Sequence, residues 1–206
     1  MSAAWIILLL TVAVSIAAFN NRTFFDQLAF EPFVVHARKE WWRALTHALI
    51  HVDWAHLLVN MFVLYGFGPA TETHLSAMSG VPGPWVFLFL YVTAACAAAL
   101  PSYNRHRFDP SYRSVGASGA VSAVLFSHIL IMPTAPVGIF LLPVRMPAIV
   151  FGALYLIYEW YQHKRGGSGV AHDAHLMGAV HGLIFTALLE PELVPRLFTE
   201  LIALLP

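Results

Sequence analysis

Uncharged, mostly apolar stretches run from Ala3 to Phe19, Trp54 to Thr71, Leu75 to Asn104, Ser114 to Val144, Met146 to Tyr158 and Ala174 to Leu189. A helix that crosses a bilayer needs roughly 17–25 such residues. Six transmembrane helices are therefore expected, near 3–19, 54–72, 84–101, 115–133, 146–162 and 174–190. The fifth reaches that length only if its aromatic end continues through Glu159 to Gln162. Pro133, Pro136 and Pro143 interrupt the longest apolar run, so residues 134–145 are expected as extended chain at the surface. Pro82-Gly83-Pro84 punctuates a helix start. Lys164-Arg165-Gly166-Gly167-Ser168-Gly169 is a loop able to move, and the semi-polar tail after Glu190 suits a membrane surface.

Composition agrees with the pattern. Of the 206 residues, 59% are hydrophobic and only 11% charged, where a water-soluble domain carries about a quarter. The fold class expected is an all-α polytopic membrane protein, a six-transmembrane-helix bundle forming one membrane domain over 1–206. A formal charge of zero leaves no basic face, so no nucleic acid is expected among the partners. The single cysteine, Cys96, has no intramolecular partner and reads as a small core residue. Ser15-Ile16-Ala17 has the small-x-small look of a signal-peptide cleavage site. No Lys or Arg precedes the apolar run, however, so 3–19 is read as a retained helix.

The loops carry the charge. Arg22, Arg38, Lys39, Arg43, Arg105, Arg107, Arg113, Lys164 and Arg165 fall in the first, third and fifth loops. The positive-inside rule puts those loops in the cytoplasm. The first loop, 20–53, also mixes Trp41 and Trp42 with basic residues, a combination suited to the bilayer interface.

Polar groups inside membrane helices are costly and mark function by default. Three sets stand out. His56 and Asn60, four apart, share a face of the second helix; alone, they could equally be polar glue between helices. Gly116-Ala117-Ser118-Gly119-Ala120 opens the fourth helix, where free backbone N–H groups and the helix dipole favour developing negative charge. Alone, such a run is as readily a close-packing surface. Gly178 and Gly182 form a small-xxx-small face on the sixth helix, with His175 almost one turn before it.

Depth joins the three. The second, fourth and sixth helices run in the same direction, and His56, Ser118 and His175 all lie in their first turns. They therefore sit at one level below one face of the bilayer. The glycine face can bring His175 to Ser118, the nucleophile–base arrangement that acyl transfer requires. His56, Asn60 and the Ser118 N–H can converge as an oxyanion hole.

These residues resemble the rhomboid family of intramembrane serine proteases. The family's elements appear in order: Trp42-Arg43, the His-x-x-x-Asn of 56–60, the Gly-x-Ser-Gly of 116–119 and the Ala-His-x-x-Gly-x-x-x-Gly of 174–182. The resemblance implies a six-helix core in a lipid bilayer, a Ser118–His175 dyad without a third acid, no cofactor and no metal. It implies transmembrane protein substrates cut at small residues, and a bacterial inner membrane is the expected setting. It further implies a first loop partly within the membrane and a fifth helix and loop that gate the substrate. Structural support would come from Arg43, Glu72, Gly116, Gly119, Gly178 and Gly182, with Glu72 ending the second helix. It places the basic loops outside, against the positive-inside rule. Two positions depart from the pattern: Ser122 stands where many members carry an aromatic, and Phe126 where glycine is common. Asp173, the one acid near His175 in sequence, is read as a solvated loop residue.

Two other readings compete. Eleven histidines suggest a metal or haem protein, with His47, His51, His56, His172, His175 and His181 as ligands. That reading lacks an H-E-x-x-H and leaves Gly-x-Ser-Gly unexplained; metal analysis and a visible spectrum separate it. His47 and His51 otherwise anchor the first loop, and His106, His128, His163 and His172 are packing or interfacial residues. An inactive relative that escorts membrane helices usually loses the serine or the histidine, and both stand here.

Overall fold

The computed structural model describes residues 2–138, 145–166 and 169–203. Helix α1 (Ala3–Phe19) is followed by a first loop that is itself folded into α2 (Arg22–Leu28), α3 (Pro32–Arg38), α4 (Arg43–Thr46) and a 3-10 turn at His47–Leu49. Local signals divide it. The Asn21 side chain accepts the Phe24 N–H, Pro32 opens α3, and Lys39 closes it in the left-handed region at φ 63°.

The long helices follow: α5 (Trp54–Ser79), α6 (Gly83–His106), α7 (Ser118–Ile131), α8 (Ala148–Arg165) and α9 (His172–Leu189). Asp53 starts α5 by accepting the His56 N–H, and Gly80 ends it at φ 67°. Strand β1 (Pro136–Gly138) pairs antiparallel with β2 (Arg145–Pro147), so the extended chain expected at 134–145 is partly a ribbon. Residues 139–144 of that stretch, and Gly167 and Ser168 of the glycine-rich loop, lie outside the described residues. Helix α10 (Leu193–Ala203) turns 113° away from α9.

The six expected helices are present, with altered ends. The second runs past Glu72 to Ser79, so Glu72 lies inside it. The fourth spans only Ser118–Ile131 instead of 115–133, because Gly116 turns the chain at φ 121°. Among the described residues, α6 alone is suited by length and composition to cross a membrane, or up to three spans if each bent pair counts as one. Polar side chains in α5, α8 and α9, and the short lengths of α1 and α7, account for the shortfall.

Helix α7 sits at the centre, with every residue from Gly119 to Ile131 buried. Its 14 residues make about 21 Å at about 1.5 Å each, against a hydrocarbon core of about 30 Å. A helix shielded from lipid by neighbours need not reach either surface. Glycine sets the α7–α9 distance: a Cβ on Gly178 would strike the Gly119 carbonyl, and one on Gly182 that of Ala123. Ser127 and Thr186 hydrogen-bond across this buried seam at 2.6 Å.

Two buried charges pin the periphery. Arg43 donates to Glu40, and its Nη1 to the carbonyls of Asp26 and Ala29, clamping the first loop. Glu72 accepts the Ser2 hydroxyl and the N–H groups of Ala3 and Ala4, capping α1 from a neighbouring helix. Cys96, expected in the core, is exposed on α6; an apolar face that would meet lipid needs no burial within the protein.

Candidate active site

Ser118 is the first residue of α7, and its N-cap Ala117 offers no capping side chain. The first amides of a helix have no intrahelical partner, so the Ser118 and Gly119 N–H groups are left without an acceptor in α7. Across the glycine seam, in the first turn of α9, His175 Nε2 lies 2.7 Å from Ser118 Oγ. Residues 57 apart in sequence thus meet at hydrogen-bond distance. Neither residue is fully buried, and the His175 side chain keeps 13% of its surface exposed.

The turn leading into Ser118 is held by the first loop. Gly116 N–H donates to the His47 carbonyl at 2.9 Å, and Ser114 pairs with Phe30. His51, fully buried, ties the turn to α1. The Ala117 N–H donates to its Nε2 at 3.3 Å, and Ser15 Oγ is 2.9 Å from its Nδ1. Ser15 also donates to the Leu49 carbonyl. Only one proton order satisfies all three contacts: His51 Nε2 accepts, Nδ1–H donates to Ser15, and the serine proton goes to Leu49. His47 Nδ1 meets the Arg43 carbonyl and His181 Nε2 meets Thr93. His47 and His51 therefore anchor the first loop, as expected.

His56 lies in the first turn of α5, its ring edge-on to that of His51 with centroids 4.9 Å apart. A Cβ on Gly116 would come within 2.8 Å of His56 Nε2, so the imidazole rests directly on the glycine two residues before Ser118. Asn60 is buried and spends one amide proton on the His56 carbonyl at 2.9 Å, within its own helix. Beside Ser118 a recess is lined by small groups, among them Gly116, Ala98, Ala99, Ala171 and Ala174.

Helix α8 brings in a group the sequence reading missed. Glu159, buried, places Oε2 2.6 Å from His172 Nδ1 and 3.0 Å from His175 Nδ1. The His175 contact is close, but the oxygen lies off the N–H axis and makes no aligned hydrogen bond. The site thus contains a third acid where the resemblance implied none. His172, expected as a packing or interfacial residue, is buried against the same carboxylate. Donor atoms of Glu159, His172 and His175 lie within 4.8 Å of one another, a spacing that a metal ion could also use. Asp173, expected in solvent, is mostly buried and pairs with Arg105 at 3.2 Å, not with His175.

Both departures at 122 and 126 are answered on α8. Ser122 hydrogen-bonds the Tyr155 hydroxyl at 2.8 Å, so an aromatic reaches that place from the neighbouring helix. Phe126 packs against Tyr155, and opposite it stands Gly152, whose missing side chain leaves room for Phe126 and Ile129.

The sequence model described as "Rhomboid domain" matches residues 38–192. The chain is 29% identical over 144 residues to RHOMBOID-like protein 12, mitochondrial, of Arabidopsis thaliana, covering 66% of this chain and 42% of that one. It is 29% identical over 182 residues to Rhomboid protease GlpG of Salmonella paratyphi A, covering 87% and 60%. It is 36% identical over 89 residues to Rhomboid protease GluP of Bacillus subtilis, covering 43% and 15%. It therefore spans less than two thirds of these relatives' own length. The family's domain includes α5, α7, α8 and α9, the helices that carry His56, Asn60, Ser118, Glu159 and His175, and the chain belongs to the rhomboid family.

Proposed function

We propose that this protein is a serine endopeptidase that cleaves transmembrane protein substrates within the bilayer, with Ser118 as nucleophile and His175 as general base. The observation that carries the reading is the 2.7 Å contact between Ser118 Oγ and His175 Nε2 at the open end of a buried helix. Ser118 Oγ attacks the scissile carbonyl carbon as His175 Nε2 takes its proton. The oxyanion is received by the Ser118 N–H, with His56 and the second Asn60 amide proton as further donors; losing one such donor costs roughly 10²–10³ in kcat. His175 then protonates the leaving amine, and water, deprotonated by the same imidazole, hydrolyses the acyl-enzyme. The alanine- and glycine-lined recess beside Ser118 favours a small side chain at the cut.

We also propose that α1, α5, α6, α7, α8 and α9 all lie within the membrane, the short ones shielded by their neighbours, in one domain. Relatives include bacterial proteins of Salmonella and Bacillus and a mitochondrial one of Arabidopsis; we propose a bacterial cell membrane as the setting. Cleavage of a fluorogenic transmembrane substrate in proteoliposomes tests the chemistry. Ser118→Ala and His175→Ala are expected to lower it to background while both variants stay folded. Ser118→Ala should also lose labelling by a fluorophosphonate. Retained cleavage in either variant refutes the assignment.

A further inference from the structure

We propose that Glu159 is a positioning residue for His175, so that the site works as a Ser118–His175–Glu159 relay with His172 as a second anchor of the carboxylate. This rests on Ser118 and His175 being nucleophile and base.

For Nε2 of His175 to accept the serine proton, the resting imidazole must carry its own proton on Nδ1. Nδ1 faces Oε2 of Glu159 at 3.0 Å, in a pocket where that carboxylate's side chain is 5% exposed. A carboxylate there selects the productive tautomer. It also stabilises the imidazolium formed when Ser118 loses its proton, and low surrounding polarity strengthens that attraction. The off-axis approach in the resting site is what catalytic hydrogen bonds often show before substrate closes around them.

The carboxylate is itself fixed. His172 Nδ1, 2.6 Å away on the same oxygen, holds it towards α9, and that imidazole is 6% exposed. No lysine or arginine pairs with Glu159 among the described contacts. Arg105 is held by Asp173, the neighbour of His172 on α9. Ionisable groups near this pair include His172 and Asp173 on the same helix, His56 on α5 and Tyr155 on α8. The negative charge is thus directed at two imidazoles, one of them bonded to the nucleophile.

The test compares Glu159→Gln and Glu159→Asp with the unmodified enzyme in proteoliposomes, with active sites counted by fluorophosphonate. E159Q, nearly isosteric, should lower kcat by about 10²-fold or more with KM within about twofold, since an amide nitrogen facing Nδ1 favours the wrong tautomer. E159D should recover most of kcat. In S118A saturated with transmembrane substrate, which keeps Glu159 and cannot turn over, proton NMR should show a strongly deshielded His175 Nδ1–H that is absent from H175A. That readout needs no Glu159 variant to fold. Wild-type kcat in folded E159Q, or no deshielded proton in folded, substrate-bound S118A, overturns the relay and leaves the Ser118–His175 reading intact. Cleavage by S118A overturns that underlying reading instead. Loss of activity on chelation, restored by zinc, would reassign Glu159, His172 and His175 to a metal and also overturn the relay.

Discussion

At the residue scale the site depends on small groups whose absence of side chain is used. Gly116 combines φ 121° with the His56 ring packed on its Cα. Gly116→Ala therefore has to strain the backbone and displace the imidazole together. We expect G116A to lower kcat by at least tenfold while the thermal midpoint falls by only a few degrees; unchanged kcat per fluorophosphonate-labelled site would show that His56 has no part in turnover. The sequence showed this glycine and its neighbours clearly, because a serine between glycines at a helix start has few uses inside a membrane. Glu159 was not visible in the same way. Its distance from His175 along the chain spans a loop and a change of helix, and at the charged end of α8, before Lys164 and Arg165, a carboxylate reads as an interfacial residue. Only packing of α8 on α9 turns it inward.

At the element scale the seam between α7 and α9 sets the Ser118–His175 distance. Gly178 meets the Gly119 carbonyl and Gly182 that of Ala123, both backbone atoms that cannot swing aside. Overpacking a tight interface costs roughly 1–3 kcal/mol, so Gly178→Ala and Gly182→Ala should each lower unfolding stability by that order in detergent. Their effects on turnover should differ. Gly178 lies within a turn of His175 and opposite the residue after Ser118, so G178A should lose far more kcat than G182A. Equal losses would mean that the seam acts on stability alone. The spacing of these glycines made the seam legible from sequence. The helix ends did not follow, because hydropathy reports an apolar stretch and not where a neighbouring element turns the chain. The residues from Val115 to Ala117 are apolar enough for helix, yet Ala117 N–H is drawn to His51 and Gly116 N–H to His47. The Ser122–Tyr155 contact was hidden for a related reason: the family pattern is written along α7, whereas here the aromatic is supplied by α8.

At the scale of the whole molecule, the polar groups proposed to receive the oxyanion and the carboxylate that holds α1 occupy opposite ends of the same helix. Helix α5 presents His56 and Asn60 near its start and Glu72 towards its end. Sixteen residues separate His56 from Glu72, about 24 Å of helix at about 1.5 Å per residue. Glu72 serves three donors at the start of α1: the Ser2 hydroxyl and two backbone N–H groups. Glu72→Gln removes the charge and turns one acceptor into a donor facing those protons. A buried polar mismatch of this kind costs about 1–3 kcal/mol. We expect E72Q to lower the thermal midpoint and increase proteolytic nicking, while kcat per fluorophosphonate-labelled site stays within about twofold of the unmodified enzyme. Glu159→Gln should do the reverse, holding much of the stability and losing the turnover. The pair separates the two jobs a buried carboxylate can have in this bundle. If E72Q lost kcat in proportion to E159Q, the far end of α5 would be transmitting its disorder to His56, and the bundle would behave as one cooperative unit around Ser118 instead of two independently anchored ends.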